Sequence, residues 1–189
     1  MTARVRHVLW QALPIVLHPF GVLSGLWLLA LWRHRPDAIW QQAWPMLLAI
    51  AVCAAYVLWR WRRGDWGTID ASGKHERTSL YVVLLPVILA LALWQGGWAS
   101  VTGRALLYFA LALMLAWLGN RRLKTSLHLL GLGFAVPIAW QLWPRVGGLL
   151  AACLPLLAAS SLALGRHTLS EVLAGSILGL AAGVLAIFD

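Results

Sequence analysis

Apolar positions along this chain gather into seven long runs, with charged residues and turn formers confined to the short stretches between them. The runs cover about 8–32, 43–61, 79–94, 104–118, 126–143, 146–164 and 168–188. Crossing the hydrocarbon core of a bilayer takes a helix of roughly 20 apolar residues, and most of these runs approach that length. The pattern predicts an all-α protein: an integral membrane helical bundle of six to seven transmembrane helices. The first run carries Pro14, His18 and Pro19, so a kink is expected near its middle, because proline removes a backbone donor and crowds the preceding turn. The third run is short and holds Pro86, and the sixth holds Pro155.

Composition agrees with the pattern. Of 189 residues, 61% are hydrophobic and 11% charged, against roughly 25% charged in a soluble domain. Mean hydropathy is +0.79. Lipid is therefore the expected solvent for most of the chain, and 1–189 reads as one membrane-embedded domain with no room for a separate soluble one. Tryptophans near run ends, among them Trp32, Trp40, Trp94 and Trp143, suit an interfacial aromatic belt. Cys53 and Cys153 lie inside apolar runs and read as small core residues. No cleavable signal peptide is expected, since the first run is too long and lacks a small-residue cleavage site.

The net charge of +9 would suggest nucleic acid in a soluble protein. Here the basic residues punctuate apolar runs and no polar face is left to present, so no nucleic-acid partner is expected. Of the fifteen Lys and Arg, seven spans would put Arg33, Arg35, Arg104 and Arg145 on one side and the remaining eleven on the other. The positive-inside rule then makes the basic side cytoplasmic and the C-terminus external. The expected location is multi-pass in a bacterial inner membrane. Anionic headgroups or phosphate are a second reason for the same charges.

Chemistry concentrates at the polar ends of three runs. Gly64 to Thr78 is the longest polar segment, with Asp65, Asp70, Lys74, His75, Glu76 and Arg77. Lys124, Ser126 and His128 stand at the start of the fifth run, and Arg166, His167, Thr168 and Glu171 at the start of the seventh. Seven spans bring all three segments to one side whichever way the protein is oriented. His167 and Glu171 are one helical turn apart, so the carboxylate can orient the imidazole and leave its other nitrogen free. The same spacing makes Thr168 and Glu171 a capping box, and the two readings are compatible. Helix starts offer free N–H groups to phosphate, and Lys74, Arg77, Lys124 and Arg166 would add charge-assisted bonds. His18, an ionisable group at membrane depth, is a candidate for the substrate channel; its plainer reading is a neutral histidine bonded to the carbonyl that Pro19 frees. Asp70 and Glu76 are expected to hold the basic loop through ion pairs.

These residues resemble the type 2 phosphatidic acid phosphatase family and its haloperoxidase relatives, marked by K-x6-R-P, P-S-G-H and S-R-x5-H-x3-D. The third motif is matched by Ser160, His167 and Glu171, and GRHTLSEVLAG around it is similar to small multi-span members. The second appears as Thr125-Ser126-Leu127-His128. The resemblance covers about 64–188. Ser161 stands at the motif arginine, Glu171 at its aspartate and Leu127 at its glycine, and the first motif has no R-P. Lys74 and Arg77 are the nearest substitutes for its basic residues. The resemblance implies an integral membrane hydrolase of lipid phosphates, acting on an isoprenyl diphosphate, phosphatidic acid or phosphatidylglycerol phosphate. His167 would be the nucleophile, Glu171 its orienting acid and His128 the general acid. Lys124, Ser126, Lys74, Arg77 and Arg166 would bind phosphate, with no metal or other cofactor. Two other readings stand beside it. One is an inactive relative that binds or transports anionic lipid, motivated by Ser161. The other is a zinc site of His128, His167 and Glu171.

Overall fold

A computed structural model describes residues 3–34, 37, 39–67 and 73–188. Among them are eight α-helices and no strand: α1 (Ala3–Val16), α2 (Pro19–His34), α3 (Ile39–Arg62), α4 (Lys74–Trp94), α5 (Val101–Gly119), α6 (Leu127–Leu142), α7 (Pro144–Ala163) and α8 (Leu169–Phe188). Five of these are long and apolar enough to cross a membrane, or six spans if the bent pair α1 and α2 counts as one. This is the build of a multi-pass membrane protein. The remaining run is α6, 16 residues long, which at about 1.5 Å per residue reaches about 24 Å, short of the ~30 Å hydrocarbon core.

The helices follow the seven apolar runs, with two departures. The first run is two helices, bent by 47° at the break between Val16 and Pro19. Proline is well suited to the first position of a helix but drives the residue before it out of helical geometry. His18 therefore becomes the cap of α2: its carbonyl accepts the Val22 N–H at 3.0 Å and its Nδ1 accepts the Phe20 N–H at 3.4 Å. The second departure is α4, which starts at Lys74 and not near Ser79. Glu76 explains it. Its two carboxylate oxygens accept the backbone N–H of Gly73 and of Gly67, both at 2.8 Å. The first of these is one half of a capping box; Gly73, having no side chain, cannot supply the other half. The charged Lys-His-Glu-Arg segment is thus the first turn of α4, and Glu76 holds the preceding loop through backbone N–H groups. Asp70, expected to act with it, lies outside the described residues.

The chain divides into two compact units. The first comprises residues 1–27 and 125–188. Its centre is α6, buried along most of its length from Leu129 to Ala139. Leu129 and Leu132 of α6 pack with Leu17, with Leu157 of α7 and with Val172 of α8, and Ala135 and Ala139 pack with Leu26 of α2. Helix α8 lies along α6 at backbone contact. A Cβ added to Gly175, Gly179 or Gly183 would fall 2.5, 2.2 or 2.5 Å from the carbonyl oxygen of Ser126, Leu130 or Phe134. The three contacts share one sequence offset, so α6 and α8 run parallel and in register, with α7 as the crossover. Glycine at every fourth position is what lets two backbones approach this closely where lipid offers no hydrophobic drive to association.

The second unit comprises residues 28–124. Here α4 packs against α5 and α3, and Trp44 meets Trp94 edge to face at 5.4 Å. The polar start of α4 is joined to the end of α5 by Asn120 Nδ2 donating to Thr78 Oγ1 at 3.3 Å. Most tryptophans near helix ends are exposed, among them Trp32, Trp40, Trp94 and Trp98. Trp66 departs from the belt: it is 3% exposed and packs edge to face on Tyr56.

Candidate functional site

The turn between α7 and α8 is built by two successive helix signals. Gly165 takes φ +63°, the left-handed conformation that glycine adopts without penalty. Its N–H bonds the Leu162 carbonyl at 3.0 Å, and the Arg166 N–H bonds the Ser161 carbonyl at 3.1 Å. That pair of bonds is a Schellman ending for α7. Two residues later the chain starts α8. Glu171 Oε2 accepts the Thr168 N–H at 3.2 Å, and Thr168 Oγ1 accepts the Glu171 N–H at 3.4 Å, a reciprocal capping box. His167 sits between the two signals, held on a backbone with little freedom.

The same Glu171 oxygen lies 2.9 Å from His167 Nδ1, with the two side chains 8% and 15% exposed. Both expectations for this segment therefore hold at once: one carboxylate caps the helix and orients the histidine. Since a carboxylate accepts, Nδ1 carries the proton of the neutral ring.

Helix α6 starts beside this turn. The Ser126 N–H donates to the Glu171 carbonyl at 3.2 Å, and Gly175 packs on the Ser126 carbonyl. The two helix starts that carry His128 and His167 are thereby joined side by side, and their positive dipole ends share one location. Ser126 is the residue that caps α6, yet its side chain makes no capping bond. Its hydroxyl is fully buried and has no hydrogen-bond partner among the described residues. A buried hydroxyl without a partner costs about 1–3 kcal/mol, which an incoming oxyanion would recover.

His128, half-buried in the first turn of α6, meets a residue from far away in sequence. Its ring packs edge to face on His18, centroids 5.1 Å apart and planes at 89°. The placement of His18 follows from the break before α2. The corner that His18 and Pro19 form is seated on α6 at Gly131, where an added Cβ would lie 2.5 Å from Pro19 Cβ. His128 and Gly131 are one turn apart on the same face of α6.

The remaining sequence-predicted residues divide by unit. Arg166, in the first unit, is exposed in the turn after Gly165. Lys74, Arg77 and Lys124 belong to the second unit. Arg77 is 4% exposed in the first turn of α4, and Lys124 is half-buried in the extended stretch leading to Ser126. The side chain of Lys74 lies outside the described residues. Ser160 is buried and donates to the Trp10 carbonyl at 2.7 Å. Ser161 is buried as well, at 4% exposure. Among the described residues no group of three or more His, Cys, Asp or Glu is arranged to hold a metal ion, so His128, His167 and Glu171 do not form the zinc site considered above.

The contact between His18 and His128 was not legible from spacing; the nearest signal was an ionisable residue next to a proline in an apolar run. Comparison with protein-family models, with curated proteins and with solved structures finds no match to this chain.

Proposed function

We propose that this protein is an integral membrane lipid-phosphate phosphatase that works through a phosphohistidine, with its nucleophile and acid drawn from two helix starts. The observation that carries the reading is the join between them: the His167–Glu171 pair at 2.9 Å, bonded through the Glu171 carbonyl to the start of α6, next to the unpartnered Ser126 hydroxyl. Phosphate is the ligand chemistry that suits two joined helix starts and a hydroxyl donor together.

In the first step His167 Nε2 attacks phosphorus. A P–N bond forms and the ester P–O bond breaks. His128, entering as the imidazolium, gives its proton to the departing oxygen. The lipid alcohol leaves, or the lipid monophosphate when the substrate is a diphosphate. In the second step water attacks the phosphohistidine and His128 takes its proton. The P–N bond breaks, releasing inorganic phosphate and restoring both histidines. Glu171 holds the tautomer and offsets the positive charge that His167 gains in the attack. Both proton and nucleophile come from imidazoles, so the route needs no metal. Ser126 and Arg166, both in the first unit, bind the phosphoryl oxygens. Motif resemblance narrows the substrates to an isoprenyl diphosphate, phosphatidic acid or phosphatidylglycerol phosphate, presented from a bacterial inner membrane to a cytoplasmic active-site face.

Phosphate release from these three lipids by the detergent-purified protein, in EDTA and beside His167→Ala, tests the proposal. Release from one lipid that disappears in the variant is the expected result. A second reading, an anionic-lipid-binding relative without turnover, draws on the buried, uncharged Ser161 at the motif arginine. Lipid that copurifies with folded protein and is never hydrolysed would favour it.

A further inference from the structure

We infer that His18 is a positioning residue for His128: its ring fixes the orientation in which His128 delivers a proton to the leaving oxygen. The inference rests on the phosphatase reading above and assigns His18 to the acid rather than to the substrate channel. Three observations carry it. First, His18 is anchored at both ends of its backbone step. It caps α2 with its carbonyl to Val22 and its Nδ1 to the Phe20 N–H. Accepting at Nδ1 puts the proton of the neutral ring on Nε2, so the tautomer is set by the fold. Second, the corner that holds it is wedged on α6 at Gly131, with no space for a Cβ between Gly131 and Pro19. Third, His128 meets that anchored ring at 5.1 Å and 89°, an edge-to-face geometry that aromatic pairs favour and that resists rotation about the side-chain bonds. A general acid is effective only when its proton is aimed at the departing atom, and His128, half-buried at a helix start, has this ring as its orienting wall.

Leaving-group dependence separates this role from a structural one. Protonation matters for an alkoxide leaving group and hardly at all for p-nitrophenolate, which departs unaided. The experiment compares kcat and KM of wild type, His18→Phe, His128→Ala and the double variant on dioctanoyl phosphatidic acid and on p-nitrophenyl phosphate. Thermal melts establish that each variant is folded. His18→Phe keeps a flat ring in the corner but removes Nδ1 and the fixed orientation. The expected result is a kcat loss of about 10-fold to 100-fold on phosphatidic acid, within the range that general acid catalysis supplies, with KM unchanged and under about threefold loss on the aryl phosphate. The double variant should be no slower on phosphatidic acid than His128→Ala alone, because residues acting as one unit are not additive. That cycle decides the matter even if the aryl phosphate proves a poor substrate. Equal losses on both substrates, a change confined to KM, no loss, or additive losses in the double variant would each overturn the inference and leave the phosphatase reading standing. A wild type that releases phosphate from no lipid would overturn both.

Discussion

Ser160 Oγ donates to the carbonyl of Trp10 at 2.7 Å, and the reason lies four residues further along α1. Pro14 has no N–H, so the Trp10 carbonyl has no helical donor. A hydroxyl from α7 takes its place, and the bond joins α1 to the crossover helix of the first unit. Ser160→Ala should therefore cost about 1 kcal/mol of stability, seen as a lower melting temperature in detergent. Turnover per folded molecule should be unchanged, since this hydroxyl is already engaged with backbone. A large fall in kcat with the melting temperature intact would mean Ser160 belongs to the chemistry.

In the proposed mechanism Glu171 has two jobs, and one substitution separates them. A glutamine serves the capping box as well as a glutamate does, but it cannot offset the charge of an attacking imidazole. Glu171→Gln should leave thermal stability within about 0.5 kcal/mol of wild type and lower kcat by about 100-fold or more. Paired melts and phosphate-release assays would show it. Equal kcat in the variant would reduce Glu171 to a cap.

Ser126 makes an unusual prediction because its hydroxyl is buried without a partner among the described residues. Removing it relieves a desolvated group. Ser126→Ala should leave the melting temperature unchanged or raise it, while weakening inorganic phosphate as a competitive inhibitor by about tenfold, the value of one hydrogen bond to a charged ligand. A destabilised variant with unaltered inhibition would show that Ser126 serves α6 and not a ligand.

The parallel seam of α6 and α8 is set by backbone contact. Gly179→Leu would place side-chain atoms on the Leu130 carbonyl, which a Cβ alone would approach to 2.2 Å. The helices would have to separate, at a cost of about 1–3 kcal/mol or more. Separation would also strain the bond from Ser126 to Glu171, so activity should fall together with stability, although Gly179 lies about three turns along the chain from His167. The outward-facing Ile177→Leu, on the same helix and exposed, is the control and should change neither.

The chain by itself determined where its helices lie, because the lengths of apolar runs, prolines and charged interruptions are local signals. It also determined the pair at the start of α8: a spacing of four brings His167, in the turn, within reach of Glu171 in the first helical turn, and Gly165, Thr168 and Glu171 spell out one helix end and the next start. Glu76 marked the beginning of α4 in the same local way, though its charge drew an ion-pair reading where it binds backbone. The seam was partly legible too, since Gly175, Gly179 and Gly183 recur every fourth residue, but nothing local says which helix they face. Only the tertiary structure decided that α8 lies parallel to α6, that a break at His18 sets its ring against His128, and that Ser160 answers Pro14 while Ser126 finds no partner among the described residues. Each of these joins residues far apart in sequence. Which faces meet depends on how closely two backbones can approach and on which buried polar groups find each other, and periodicity along one helix carries no record of either.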